Sequence, residues 1–362
     1  MNIGIPKERL PGEERVGLTP AGVGLLIKDG HKCFVESGAG TGAGFDDYDY
    51  ERMGATLVYD GHELYTRGTL ILKVLRPTSE EITWMPNGQA LMCFLGLPQF
   101  SDEDIADLGN RRITAIAYEM IKKDKHDFPI LKTVSEVAGR MAPYIAGAAL
   151  MRHNGGRGIL LNGVPGVPAG DVIIMGSGTV GQNAARAFLG VGAKVFILSR
   201  SLERLRDLDV QFQGRVTTMI DHDFNVAHVT RFADVVIGAV RNPGKRAPVI
   251  ITREMLRTMR KGSVIVDFAI DHGGCAESSR PTTLDDPSYI EDDVVHYCVP
   301  NVPGAVPRTS THAFNNAAWG YIRHVAAMGV ASAVAQNEAL RRGLVLRNGE
   351  LIEEPSSSYA YR

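Results

Sequence analysis

The sequence predicts an α/β protein of two parallel-sheet domains, and three observations predict it. Its 362 residues make about two domains of ordinary size. Short apolar runs alternate with helix-length segments along most of the chain, the pattern of buried parallel strands covered by helices. Its 40 glycines imply many tight turns and close backbone approaches.

The elements follow in chain order. Asn2–Ile5 reads as a strand, Pro20–Lys28 as a helix and Lys32–Glu36 as the next strand. Leu70–Val74, Ala90–Leu95 and Ile113–Tyr118 are further apolar runs bounded by polar or glycine-containing turns. The polar stretch Lys122–Pro129, with five charged residues in eight, marks a domain boundary. Ser135–His153 reads as one long helix with Ser135 as N-cap and Glu136 in its first turn. A regular alternation then begins, with strands at Val172–Met175 and Lys194–Leu198 around a helix at Thr179–Gly190. Val235–Ala239, Ser263–Phe268 and Val294–Val299 supply later strands. After Val306 no strand is expected, and Thr311–Leu340 is alanine-rich and helical.

Composition excludes several classes of protein. Lys and Arg number 39 against 41 Asp and Glu, a net charge of −2, so no overall field draws the chain to nucleic acid or to an anionic membrane. At 44% apolar and 22% charged, it can bury cores and is not a disordered chain. No run reaches the roughly 18 apolar residues of a membrane span; Met141–Met151 is interrupted by Pro143 and ends at Arg152. The N-terminus lacks the layout of a secretory signal. Cys33, Cys93, Cys275 and Cys298 are far apart, so neither a disulfide framework nor a zinc site is expected. These features predict a soluble, reduced, cytoplasmic protein.

Gly176-Ser177-Gly178-Thr179-Val180-Gly181 follows an apolar strand and opens a helix. That context gives G-x-G-x-x-G its dinucleotide meaning. Gly176 permits the tight turn, Gly178 lets a pyrophosphate approach the backbone, and Gly181 lets the helix sit close to the sheet. The helix N-terminus, at Thr179 and Val180, offers N–H groups to the phosphates. At the end of the next strand, where an NAD-binding Rossmann domain usually presents a carboxylate to the ribose, this chain has Ser199-Arg200-Ser201, with Arg204 one turn on. A guanidinium can bind a 2′-phosphate bidentately, so NADP is the expected cofactor and NAD the alternative. Ala239, Val240 and Ile270, near the ends of later strands, complete the expected cofactor contacts.

Several ordered strings carry a family resemblance. They are Ile5-Pro6-Lys7-Glu8, Arg15, Thr19–Val23, Leu72-Lys73-Val74, Ser135–Arg140, Gly155–Gly158 and Gly163-Val164-Pro165-Gly166-Val167. Ile270-Asp271-His272-Gly273-Gly274, Ser279–Thr283, Asn301-Val302-Pro303 and Thr309–Thr311 complete the series. Taken together, the chain resembles the family of alanine dehydrogenase and the NAD-binding portion of transhydrogenase α-chains, from about residue 1 to 345, and more closely the dehydrogenase branch. The resemblance implies two Rossmann-like, doubly wound domains with a cofactor and substrate cleft between them. The catalytic domain would comprise 1–128 plus 307–362, with the dinucleotide domain, 129–306, inserted. It also implies reductive amination of a 2-oxo acid, or the reverse, and a homo-oligomer, often hexameric.

By the same resemblance, Arg15 matches the arginine that binds the substrate carboxylate, and Lys73 the lysine that polarises the substrate carbonyl. Asp271 matches the proton-handling carboxylate, with Asp267, inside a strand, as the structural alternative. Ser135 matches a position near the cofactor and Asn301 a position beside the substrate. One departure stands out. The family's substrate-binding histidine falls on Gly96 in Phe94-Leu95-Gly96-Leu97-Pro98-Gln99, and the one candidate substitute is His272 beside Asp271. The lost side chain predicts an amino-acid dehydrogenase acting on a substrate larger than pyruvate. The alternatives are an imine or opine-type reductase, a plain alanine dehydrogenase, and a non-catalytic nucleotide-binding module. Retention of Arg15, Lys73 and Asp271 argues against the last.

Overall fold

The computed structural model describes residues 1–124, 127–242 and 246–352. In chain order the strands are β1 (Asn2–Ile5), β2 (Lys32–Glu36), β3 (Thr56–Val58), β4 (Leu70–Leu75), β5 (Ala90–Phe94) and β6 (Thr114–Ala117). Then follow β7 (Asp171–Met175), β8 (Lys194–Ser199), β9 (Val216–Ile220), β10 (Val235–Gly238) and β11 (Val264–Asp267). The last are β12 (Ser288–Glu291), β13 (Val294–Tyr297), β14 (Leu344–Arg347) and β15 (Glu350–Leu351). Two compact units result, one of Met1–Val134 with residues 304–352, the other of Ser135–Pro303.

Each unit is a doubly wound parallel sheet. The first runs β15-β14-β6-β5-β4-β1-β2-β3, and the second β12-β13-β11-β10-β7-β8-β9. Read from β3 to β6 and from β9 to β13, both follow the Rossmann order, in which the chain leaves its first strand in one direction and returns on the other side. The reversal falls between β1 and β4 in the first unit and between β7 and β10 in the second. Ligands of such sheets collect at that point, outside the carboxyl ends of the strands. The central strands are buried on both faces, as continuous apolar runs such as Leu70-Ile71-Leu72 and Val264-Ile265-Val266 require.

The structure corrects four sequence expectations. Strands do not stop at Val306: β14 pairs antiparallel with β6, and β15 with β14. Leu344-Val345-Leu346 is too short a run to declare itself, and the open edge of β6 makes it a strand. The long helix starts at Pro129 and ends at Ala149, so Ser135 lies in its interior and is not an N-cap. Its first turn places Ile130 in the core of the first unit, whereas Ala142, Ala146 and Ala149 pack in the core of the second. The partition therefore falls inside this helix, at 134/135, and again at 303/304, where the sequence suggested 128/129 and 306/307. The C-terminal helical stretch divides into Pro307–Met328, Val330–Gln336 and Glu338–Gly343, broken at Gly329, whose φ is 74°.

Candidate active site

At the switch point of the first unit, β1 and β4 lie side by side. The chain leaving β1 brings Glu8 against β4: its carboxylate accepts the Val74 N–H at 2.6 Å. Lys73 on β4 is 1% exposed. Its Nζ lies 3.3 Å from Glu8 and donates to Glu81 Oε1 at 2.7 Å, where the Tyr65 hydroxyl also donates. Glu81 Oε2 accepts the Thr78 N–H, so one carboxylate closes a helix capping box and holds the lysine. A buried ammonium between two carboxylates remains charged. Burial alone would lower its pKa, but Glu8 and Glu81 outweigh burial and hold it above the ordinary lysine value. Glu8 is displaced the other way: burial pushes it up to about 7 against the pull of Lys73.

That displacement makes a pH prediction. A folded-state carboxyl pKa above the unfolded value contributes stability below about pH 4.5 that is lost as pH rises through about 7. Glu8→Gln, which stays neutral, is therefore expected to melt progressively higher relative to the unmodified protein between pH 5 and 8. The gain is about 1–3 kcal/mol at the upper end. Parallel melting curves for the two proteins across that range would contradict it.

Arg15 is also 1% exposed and is gripped by Glu13, with Nε at 2.7 Å from Oε1 and Nη2 at 2.5 Å from Oε2. Glu13 thus fixes the guanidinium inside the protein. The sequence singled out Arg15 and Lys73 but missed their partners Glu13 and Glu81. The capping box Thr78-Ser79-Glu80-Glu81 was the only local signal for one of them. Gly96 sits at the carboxyl end of β5, in the left-handed region at φ 52° and ψ 49°. The Leu95 and Gly96 N–H groups both donate to Glu119.

In the second unit the glycine loop sits at the switch point between β7 and β10. Gly176 has a φ of 115°, and a Cβ there would stand 2.4 Å from the Ala239 carbonyl oxygen. A Cβ on Gly181 would stand 2.0 Å from the Gly176 carbonyl oxygen, so the helix Thr179–Gly190 can close on the loop only with glycine there. Gly178 meets nothing within 4 Å and leaves the helix without a side-chain cap. The N–H groups of Thr179 and Val180 thus begin the helix behind an open backbone face, a cradle that fits a dinucleotide pyrophosphate.

Beside the cradle, a groove of about 600 Å³ is lined by Arg200, Asp221, His222, Arg231, Val240 and other residues. Arg200 is exposed there, at the end of β8. Ser199 is not: it is buried, and its hydroxyl pairs with Ser177 of the glycine loop at 2.7 Å. Its role is to tie the loop to β8, where the sequence suggested a direct cofactor contact. Arg204 is exposed on the following helix and does not line this groove. Asp221, one strand over, was missed; burial raises its pKa and Arg200 works against that.

Asp271 is exposed on a short turn after β11, and its carboxylate accepts the Asn301 N–H at 3.2 Å. Asn301 adopts φ 51°, so the two expected residues meet. Ile270 is buried. Asp267 serves the loop's structure: buried, it accepts N–H bonds from Ala269 at 2.9 Å and Cys275 at 2.8 Å, and the Ser279 hydroxyl at 2.6 Å. Both ends of the loop carrying Asp271 are pinned to one carboxylate. Burial, with Arg241 nearby, lowers His272 to about 4, so its imidazole is neutral near pH 7. Ser135 is half-buried on the long helix. Among the described residues no His, Cys, Asp or Glu cluster suits a metal ion, and no helix is long and apolar enough to cross a membrane.

A dinucleotide cradle at one switch point and a buried lysine between carboxylates at the other define a nucleotide-dependent oxidoreductase. Profiles of the alanine dehydrogenase/PNT N-terminal and C-terminal domains match residues 4–138 and 142–354. An alanine dehydrogenase of Halomonas elongata is 45% identical over 97% of this chain and 94% of its own length. One of Bacillus subtilis is 44% identical over 98% and 93%. A solved L-alanine dehydrogenase superposes with a TM-score of 0.94 at 40% identity, covering 99% of this chain and 98% of that one. The fold is shared with a transhydrogenase from Sinorhizobium meliloti, at a TM-score of 0.82 and 24% identity over 97% and 99%. The chain belongs to the alanine dehydrogenase/PNT family, and within it is an NAD(P)-dependent oxidoreductase acting on CH–NH2 groups.

Proposed function

We propose that the chain catalyses the reversible oxidative deamination of alanine to pyruvate and ammonia. The supporting observation is identity of 44–45% to proteins named alanine dehydrogenase along nearly the whole chain. When bound, the nicotinamide accepts the hydride from the substrate carbon, or returns it in the reverse direction. Gly176, Gly178, Gly181, Thr179 and Val180 would hold its pyrophosphate. Lys73, kept cationic by Glu81 and Glu8, stabilises negative charge developing on the substrate oxygen. Asp271, exposed and held by the Asn301 N–H, takes and returns protons. Arg15 steers the substrate carboxylate. The test is oxidation of NADH and NADPH with pyruvate and ammonium, and absence of turnover would refute the reading. A second reading, a 2-oxo acid larger than pyruvate, is favoured by the side chain missing at Gly96. Faster turnover of pyruvate than of every larger oxo acid would remove it.

NADP is the proposed cofactor, supported by Arg200 in the groove and by the absence of a carboxylate at Ser199-Arg200-Ser201. Arg200→Ala is expected to weaken NADPH binding by about 1.5–3 kcal/mol, the scale of a charge-assisted hydrogen bond, while hardly changing NADH. Equal affinity of the unmodified protein for both dinucleotides would contradict this. A homo-oligomer is proposed on an apolar surface of the second unit, where Tyr144, Met151, Leu160, Val164 and Val167 are all at least half exposed. A cytoplasmic place of action fits four buried, unpaired cysteines.

A further inference from the structure

We propose that Gln99, oriented by Arg76, supplies the substrate-directed hydrogen-bond donor that residue 96 lacks. The inference rests on the dehydrogenase reading above. It concerns the carboxyl edge of the first sheet, where β4 and β5 run side by side in parallel and Leu75 pairs with Phe94. Arg76 and Gly96 therefore leave the sheet as neighbours, three residues beyond Lys73 on one strand and two beyond the end of the other.

The turn Leu97–Gln99 folds back on Gly96: the Gln99 N–H donates to the Gly96 carbonyl oxygen at 2.8 Å. The Gln99 side chain then occupies the space over residue 96, its Oε1, Cδ and Nε2 lying 3.4, 3.5 and 3.8 Å from where a Cβ would stand. Arg76 Nη1 donates to Gln99 Oε1. A guanidinium has only N–H groups to offer, so the amide oxygen must face Arg76 and the NH2 must face away. No other hydrogen bond engages the Gln99 side chain among the described residues, and the residue is exposed. The Leu95 and Gly96 N–H groups cannot serve instead, because both are taken by Glu119. Arg76 is itself packed over the Phe100 ring, 6.0 Å from its centroid, which holds the pair in place. The result is a fixed, non-titrating donor at the edge of the sheet that carries Lys73. It suits a carbonyl or carboxylate oxygen of a 2-oxo acid.

An amide differs from an imidazole in a way that experiment can read. Gln99→Ala is expected to lower kcat/KM for pyruvate with ammonium about five- to ten-fold, the share of one hydrogen bond, and to leave the nucleotide KM and the melting temperature unchanged. Gly96→His in the Gln99→Ala background is expected to restore most of the loss, since truncation at 99 clears the space and histidine tolerates the left-handed backbone. The restored activity gains a pH limb at about 6.5 that the unmodified protein and Gln99→Ala both lack. Loss under two-fold in Gln99→Ala, or a loss seen in nucleotide KM alone, would overturn the inference while leaving the dehydrogenase reading intact. Failure of the unmodified protein to turn over any 2-oxo acid would overturn both.

Discussion

Lys73→Ala is expected to cut turnover by about 10² or more while leaving dinucleotide affinity within a few fold. The glycine loop proposed to hold the nucleotide belongs to the second unit, whereas Lys73 belongs to the sheet of the first. The rate loss follows from removing a preorganised cation from a water-excluded position. The variant carries a second signature. With the ammonium gone, Glu8 loses the cation beside it and Glu81 keeps only Arg9, whose Nη1 lies 3.6 Å away, and removing one partner from such a network costs about 3–5 kcal/mol. That cost has a sign in pH. Burial already raises Glu8, and loss of Lys73 removes the charge that opposes it, so the Glu8 carboxyl takes up a proton in the folded state over a wider pH range. Its stabilisation is present in acid and lost as pH rises. The variant should therefore fall furthest behind the unmodified protein at pH 8 and recover toward pH 5. Lys73→Arg separates the two effects: it keeps the charge but not the compact geometry, so it should recover stability more than turnover. Near-normal turnover of Lys73→Ala would remove Lys73 from the mechanism.

Asp271→Asn is expected to reduce turnover by about 10² or more with no change in melting temperature. The substitution keeps size and keeps an oxygen to accept the Asn301 N–H, now at 3.2 Å, so the loop retains its shape. Loop placement depends instead on Asp267, whose carboxylate binds Ala269, Cys275 and Ser279. What is lost is the capacity to take and return a proton, which contributes about 10²–10⁴ in rate where it operates. His272 cannot take over as a cationic acid, because burial holds it near 4 and it is neutral at working pH. Retained activity in Asp271→Asn, with an unaltered pH profile, would assign the proton to another group.

Much of this architecture was legible in the chain because its central strands are buried on both faces. A parallel strand must be apolar throughout, so Val172–Met175 or Leu70–Val74 announces itself wherever it lies. The glycine loop was equally legible, because its constraints are local: Gly176 and Gly181 each leave no room for a Cβ against backbone a few residues away or on the adjoining strand. Short or edge elements were not. β9 and β12 are half-exposed edge strands and β14 offers only a three-residue apolar run, so their residues carry no periodic signature. The helix from Pro129 was read as starting at Ser135 because Ser135-Glu136 imitates an N-terminus. Packing of Ile130 in the first core extends the helix one and a half turns earlier.

By itself, then, the sequence determined two Rossmann-type sheets, a glycine loop of dinucleotide pattern, and a family membership that singles out Lys73, Arg15 and Asp271 as candidates. The tertiary structure alone decided what surrounds them. Glu8 reaches Lys73 because the strand order 3-2-1-4-5-6 sets β1 beside β4, although 65 residues separate the two side chains in the chain. Arg76 reaches Gln99 because β4 and β5 end together. Ser199 turns inward because Ser177 lies across from it on the neighbouring strand's loop. Residue type and local spacing encode which groups can carry charge or bend the backbone. Charge state, orientation and access depend on partners brought together by strand order, and those contacts lie beyond the reach of any local pattern.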